Sequence, residues 1–214
     1  KIAIVGPTGV GKSTIVNLSM RFYDPTSGSI KIDGIDIRDV TQNDLRSKIG
    51  LVLQDNHLFY GSVLENISSL NEEILEKDAK TAAMIVQADE FITKLPLGYY
   101  NELTDGGNNI SFGERQLIFF ARALVINPEI LILDEATSSV DPYTENLIQK
   151  GLTKLLENRT ALIIAHRLST IKSADKIIVL RGGKIVEEGD HSSLYTSNGL
   201  YREMYELQEF ISNL

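Results

Sequence analysis

No cysteine occurs among the 214 residues. Disulfides, thiolate zinc sites and cysteine nucleophiles are therefore excluded together, and a cysteine-free α/β pattern suits a reducing compartment. Tryptophan is also absent, and proline is held to 5 positions. No stretch approaches the roughly 20 consecutive apolar residues of a membrane helix, so this segment is not expected to span a bilayer by itself. Positive charge is the minority: 21 Lys and Arg against 29 Asp and Glu leave a net charge of −8. That balance argues against nucleic acid as a partner. It leaves phosphate ligands open, because a phosphate site is a local arrangement of backbone amides. With 43% hydrophobic and 23% charged residues, the composition excludes disordered, collagen-like and coiled-coil chains. The length suits one large domain, or a domain with a lobe. Lys1 leads directly into an apolar run with no signal-peptide pattern, so further chain upstream is expected.

Periodicity gives an alternating pattern. Residues 2–5 (IAIV) read as a buried strand, 6–11 as a loop, and 13–22 as a helix with Ile15, Val16, Leu18 and Phe22 on its buried side. Turn residues fill 24–28, and SIKIDGIDI (29–37) reads as a β-hairpin about Asp33-Gly34. Residues 49–53 are a further strand. Between about Ser62 and Ile126 only helical periodicity is visible, at 62–67, 72–86, 88–94 and 111–126. Alternation then returns: strand 130–134, helix 141–156, strands 161–165 and 176–180, a hairpin strand 184–189, and an amphipathic helix 199–211. Such a chain predicts an α/β protein with a mainly parallel sheet and an inserted helical lobe.

GPTGVGKST fits G-x-x-x-x-G-K-[ST] at Gly6, Gly11, Lys12 and Ser13, after a strand and before a helix, which is the context the motif requires. The glycines (6, 9 and 11) allow backbone turns that a Cβ would block. The loop amides then form an anion nest reinforced by the helix N-terminus. Lys12 can reach terminal phosphates, and Ser13 can place a hydroxyl on Mg²⁺.

ILILDE puts Asp134 at the end of an apolar strand and Glu135 just beyond. Ligands of open α/β sheets sit at the carboxyl ends of strands. Asp134 is thus a candidate Mg²⁺ ligand, and Glu135 a candidate to orient or deprotonate an attacking water. His166 follows another apolar strand and can meet the same rim; by itself a strand-end histidine is usually surface. Gln54, after the strand at 49–53, can offer its amide to Mg²⁺ or the attacking water. His57 and His191 have no evident partner and read as surface.

The order GPTGVGKST, Gln54, ISFGERQ (110–116), ILILDEATSSVD (130–141) and His166 resembles the nucleotide-binding domain of ABC transporters, of the exporter type, over nearly the whole chain. The resemblance implies a P-loop NTPase, RecA-like core (1–56 and 127–214), a helical subdomain at about 57–126 and a partial antiparallel β-subdomain at SIKIDGIDI. Gly6, Pro7, Thr8, Gly9, Val10, Gly11, Lys12, Ser13 and Thr14 match the Walker A loop. Gln54 matches the Q-loop glutamine, Asp134 the Walker B aspartate, Glu135 the catalytic glutamate, Asp141 the D-loop aspartate and His166 the switch histidine. ATP and Mg²⁺ are the implied ligands. Asp105 falls where exporters carry an acidic residue ahead of the signature. The signature itself departs from the family's LSGGQ: Ser111 and Gly113 remain, but Phe112 replaces a glycine and Glu114 a neutral amide. A carboxylate near phosphates is repelled unless Arg115 or water screens it.

The resemblance further implies a head-to-tail pair of such domains. Ser111, Gly113 and Glu114 of one would face the ATP held by the other, with membrane domains upstream of Lys1, at the cytoplasmic face of a membrane. An adenine-stacking aromatic and the first strands would also lie upstream, so residues 1–214 alone are expected to hydrolyse ATP slowly. An intact Glu135 beside an altered signature is what one half of a heterodimeric exporter would carry; in a homodimer, Phe112 and Glu114 would be tolerated variants. Two other classes share some motifs. A soluble ABC-type ATPase acting on nucleic acid or ribosomes would be expected to show basic surfaces or coiled-coil insertions. A nucleotide sensor would lack Glu135 or His166.

Overall fold

The computed structural model describes residues 1–53, 56–134, 142–165 and 168–212. In chain order these form β1 (Ile2–Val5), α1 (Lys12–Ser19), β2 (Lys31–Ile32), β3 (Ile35–Asp36), α2 (Gln42–Ser47) and β4 (Ile49–Val52). Then come β5 (Gly61–Ser62), α3 (Val63–Ser68), α4 (Glu76–Ile85), α5 (Asp89–Ile92), β6 (Glu102–Leu103) and α6 (Phe112–Leu124). Last are β7 (Ile130–Asp134), α7 (Pro142–Leu156), β8 (Thr160–Ile164), α8 (Leu168–Lys172), β9 (Lys176–Arg181), β10 (Lys184–Gly189), α9 (His191–Thr196) and α10 (Leu200–Ser212). Two compact units result. The described residues of one fall in 1–49, 130–134 and 160–212; those of the other fall in 50–129 and 142–159.

The first unit is α/β, as the alternation predicts. Its strands run β10-β9-β1-β8-β7. β1 pairs in parallel with β8 and β9, and β7 pairs in parallel with β8. β10 alone turns back antiparallel on β9, through Gly182-Gly183. The strand interiors are almost wholly apolar and buried: Ala3, Leu131, Ile163 and Ile177 are at most 1% exposed. That is the signature of strands covered on both faces. Glu187 of β10 accepts the backbone N–H groups of Leu200 (2.6 Å) and Tyr201 (3.1 Å). A carboxylate thus sits at the positive end of α10 and fixes where that helix starts. The small antiparallel piece at 29–37 is present but shorter than expected, with two residues on each side of Asp33-Gly34.

The second unit is helical around α6, which packs on α3, α4 and α7. Leu117, Ile118 and Ala121 of α6 are fully buried. Gly151 lets α7 come close: a Cβ there would lie 2.6 Å from Leu117 Cδ2 and 3.0 Å from the Val86 carbonyl oxygen.

Several expectations need correction. The stretch read as strand-free holds a ladder of β5 with β6, pairing Gly61 with Leu103 and Ser62 with Glu102. Two-residue strands carry no periodicity to detect. The helix expected to reach residue 22 ends at Ser19, because Arg21 turns to a φ of 50°. Phe22 is 46% exposed rather than buried, with its ring 5.1 Å from the Arg46 guanidinium. The helix expected from 72 begins at Glu76, after a turn in which Asn71 Oδ1 accepts the Glu73 N–H. His191 is not a lone surface group. Its Nδ1 lies 2.7 Å from the hydroxyl of Tyr201, a residue only 1% exposed, and the rings of Tyr195 and Tyr205 also contact it.

Entry into the helical unit is set by a capping box: Ser62 Oγ accepts the Glu65 N–H (3.1 Å), and Glu65 Oε2 accepts the Ser62 N–H (2.7 Å). Ser62→Ala is expected to lower stability by about 1 kcal/mol, and Ser62→Gly by only a few tenths. Urea unfolding midpoints at constant slope check this; equal losses for both would contradict it.

Candidate phosphate-binding site

The loop begins where β1 ends, and its shape is dictated at Gly6 and Gly11. A Cβ on Gly6 would lie 2.6 Å from the backbone oxygen of Leu180, so no larger residue fits between the loop and β9. Gly11 has φ 107° and is the N-cap of α1, a conformation that side chains disfavour. Pro7, Thr8 and Gly9 are exposed, as are Ser13 and Thr14 at the start of the helix; Val10 is half-buried.

Lys12 is 7% exposed, and its Nζ donates to the carbonyls of Gly6 (2.7 Å) and Pro7 (3.1 Å). Burial pushes its ammonium pKa down, and the negative charge of Asp134 opposes that shift. Asp134 arrives from the far side of the motif order. β8 pairs with both β1 and β7, so Ile164 registers against Ile4 on one side and Asp134 on the other. The Ser13 hydroxyl donates to Asp134 Oδ2 at 3.3 Å. Two sequence motifs 121 residues apart thus share one oxygen-lined spot at a helix N-terminus.

This donor set has a definite chemistry. Among the described residues no group of three or more His, Cys, Asp and Glu side chains could hold a metal. One hydroxyl and one carboxylate beside an anion nest cannot form an all-protein cage. They fit a Mg²⁺ ion that takes its remaining oxygens from phosphates and water.

A protein-family model described as ABC transporter matches residues 1–138. The chain belongs to the ABC transporter family. It is 48% identical to the uncharacterized ABC transporter ATP-binding protein YfiC of Bacillus subtilis, over 97% of this chain and 34% of that one. It is 51% identical to the fatty acid ABC transporter ATP-binding/permease protein of Mycobacterium bovis, over 95% of this chain and 32% of that one. It is 48% identical to the ATP-dependent lipid A-core flippase of Desulfotalea psychrophila, over 97% of this chain and 36% of that one. A solved structure of a bacterial Atm1-family ABC exporter with ATP bound superposes with TM-score 0.88 at 44% identity, over 97% of this chain and 36% of that one. The chain therefore spans about a third of the length of the curated relatives it matches. The fold is that of an ABC exporter's ATP-binding domain, a P-loop NTPase, as expected.

In the stretch expected from the resemblance to be the signature, Ser111 is the N-cap of α6. Its Oγ accepts the Glu114 N–H (3.3 Å), while Glu114 Oε2 accepts the Ser111 N–H (2.7 Å). This reciprocal capping box takes Glu or Gln at its third position, so the exchange of Gln for Glu preserves the cap while adding a charge. Arg115 is directed elsewhere: its Nη1 donates to the carbonyls of Gly107 (3.2 Å) and Ile110 (3.5 Å), and its guanidinium lies 5.9 Å from the Phe112 ring centroid. Gly113 is buried, and a Cβ there would lie 2.7 Å from Thr144 Cγ2 of α7. Its lack of a side chain thus serves helix packing as well.

Gln54, Glu135, Asp141 and His166 lie outside the described residues. His57, expected to be a surface group without a partner, has its Nε2 2.7 Å from Asp105 Oδ1. The partners are 48 residues apart, and no local signal joins them.

The capping box makes a sharp expectation. Glu114→Gln should change stability by less than about 0.5 kcal/mol, whereas Glu114→Ala should cost about 1 kcal/mol by leaving the Ser111 N–H without its acceptor. Thermal melts of the two variants side by side check this, and equal melting points would contradict it.

Proposed function

We propose that this chain belongs to the ATP-binding and hydrolysing domain of an ABC exporter, with core residues at 1–56 and 127–214 and a helical subdomain at about 57–126. The observation that carries the reading is the Ser13–Asp134 contact of 3.3 Å beside the buried Lys12. The loop from Gly6 to Thr14 cradles the phosphates with backbone N–H groups at the start of α1, where the helix dipole favours negative charge. Lys12 supplies a positive charge to the terminal phosphates. Already desolvated by the fold, it acts in a medium where charge counts for more than in water. Ser13, Asp134 and Gln54 would hold Mg²⁺, and the ion would supply positive charge that neutralises the phosphate oxygens.

Glu135 orients the attacking water and takes its proton as the water oxygen bonds to the γ-phosphorus and the bond to ADP breaks. His166 is assigned to contact with the γ-phosphate or with Glu135. Each ATP lies between the phosphate loop of one domain and Ser111, Gly113 and Glu114 of a second, head-to-tail, with Asp141 at the contact. ATP binds the closed pair better than the open one, and so draws the two together. Similarity to ATP-binding/permease proteins supports membrane-spanning domains on the same chain and a place at the cytoplasmic face of a membrane. The intact Glu135 beside an ISFGE signature favours one half of a heterodimer, in which a partner's signature completes this chain's hydrolytic site. Full ATP turnover by this transporter as a homodimer would contradict that pairing.

In the full-length protein, Glu135→Gln should lower ATP turnover by about 10²- to 10⁴-fold while leaving ATP binding in place. Lys12→Ala should abolish binding itself, and chelating Mg²⁺ should stop turnover in the unsubstituted protein. Nucleotide-binding titrations alongside phosphate release check all three. A Glu135→Gln protein that hydrolyses ATP normally would overturn the assignment.

A further inference from the structure

Arg122 sits in the last turn of α6, eleven residues beyond Ser111, and its surroundings are unusual for a cation. Its Nε donates to the Asn66 carbonyl (2.7 Å), Nη1 to the His57 carbonyl (3.0 Å) and Nη2 to Asn66 Oδ1 (3.0 Å). The guanidinium lies 5.3 Å from the Phe59 ring centroid and 5.4 Å from that of Phe119. Burial lowers its pKa to about 10. Asn66 is 1% exposed and is itself tied to the same segment: its Oδ1 accepts the Phe59 N–H, and its Nδ2 donates to the Phe59 carbonyl, both at 2.9 Å. A second set of bonds holds the segment from the other side. The Leu58 carbonyl accepts the Gly106 N–H (2.9 Å), and His57 meets Asp105.

Segment 56–59, which begins two residues after Gln54, is thus fastened to α6 by one side chain. We infer that Arg122 is a positioning residue. Its planar fork, bound to the His57 and Asn66 carbonyls at once, makes the segment following Gln54 and the signature-bearing helix α6 a single rigid piece, so that a displacement near Gln54 reaches Ser111 undiminished. Five donors in a fixed plane suit this task, and an ammonium does not, because a point charge has no fork to set two carbonyls at a fixed spacing. α6 carries the movement because its interior is close-packed: Leu117, Ile118 and Ala121 are fully buried.

The inference rests on the function proposed above and concerns the rate of turnover, not ATP binding. The test uses the full-length protein in lipid, measuring first the fraction of molecules that bind ATP and their Kd, then kcat per ATP-competent site. Arg122→Lys keeps the charge between the two rings but loses the fork. It should lower kcat per competent site by about 10- to 100-fold, the scale of misplacement without direct contact, with Kd for ATP within about twofold. Phe119→Leu removes one ring and keeps the fork, and should stay within about threefold of the parent kcat. Wild-type kcat per competent site in Arg122→Lys would overturn the positioning role. So would a loss accounted for wholly by fewer competent sites, which would make Arg122 a folding residue only. Absence of turnover in the unsubstituted protein would instead sink the ATPase reading and this inference with it.

Discussion

Ile4 and Asp134 lie level because each registers against Ile164 of the strand between them. A parallel sheet delivers the carboxyl ends of its strands to one edge, and the residues that follow those ends become neighbours however far apart they lie along the chain. The glycine loop after β1 and the carboxylate closing β7 are neighbours for that reason alone. Lys12 is buried with its Nζ on the loop's own carbonyls, and Asp134 opposes the cost of that burial. The site's electrostatics are therefore a property of sheet register before any nucleotide is considered.

The parts legible in the sequence are those whose pattern is local. GPTGVGKST carries its own strand–loop–helix context, and ILILD is apolar enough to read as a covered strand. The α/β class and the resemblance to ABC exporters follow from motifs of this kind. What the sequence hid is of two sorts. Elements of two residues, such as β5 and β6, have no period. Contacts such as His57 with Asp105, His191 with Tyr201 and Arg122 with Asn66 join residues that no spacing rule connects. The end of α1 at Ser19 belongs with these: Arg21 takes a left-handed turn, and Phe22, apolar and at helical spacing, lies outside the core.

The start of α6, the expected signature stretch, gives Glu114 a structural role of its own. Read as a ligand-facing motif, Glu114 looks misplaced, because a carboxylate repels phosphate. Read as the third residue of a capping box, it is the expected partner of Ser111, and the cap is complete. Helix geometry at the start of α6 is thereby kept while its charge differs from that of LSGGQ. Gly113 adds a further constraint from behind: α7 lies too close for a side chain there, so the glycine has a packing reason apart from any nucleotide.

The cluster around His191 has a practical side. The chain has 8 tyrosines and no tryptophan, and three of those phenols (Tyr195, Tyr201 and Tyr205) gather on one imidazole where α9 meets α10. Ultraviolet emission from this domain is therefore phenolic throughout, free of indole glare. Three of the eight phenols lie at the seating of α10, so a change in that seating alters the surroundings of intrinsic ultraviolet chromophores without any added dye.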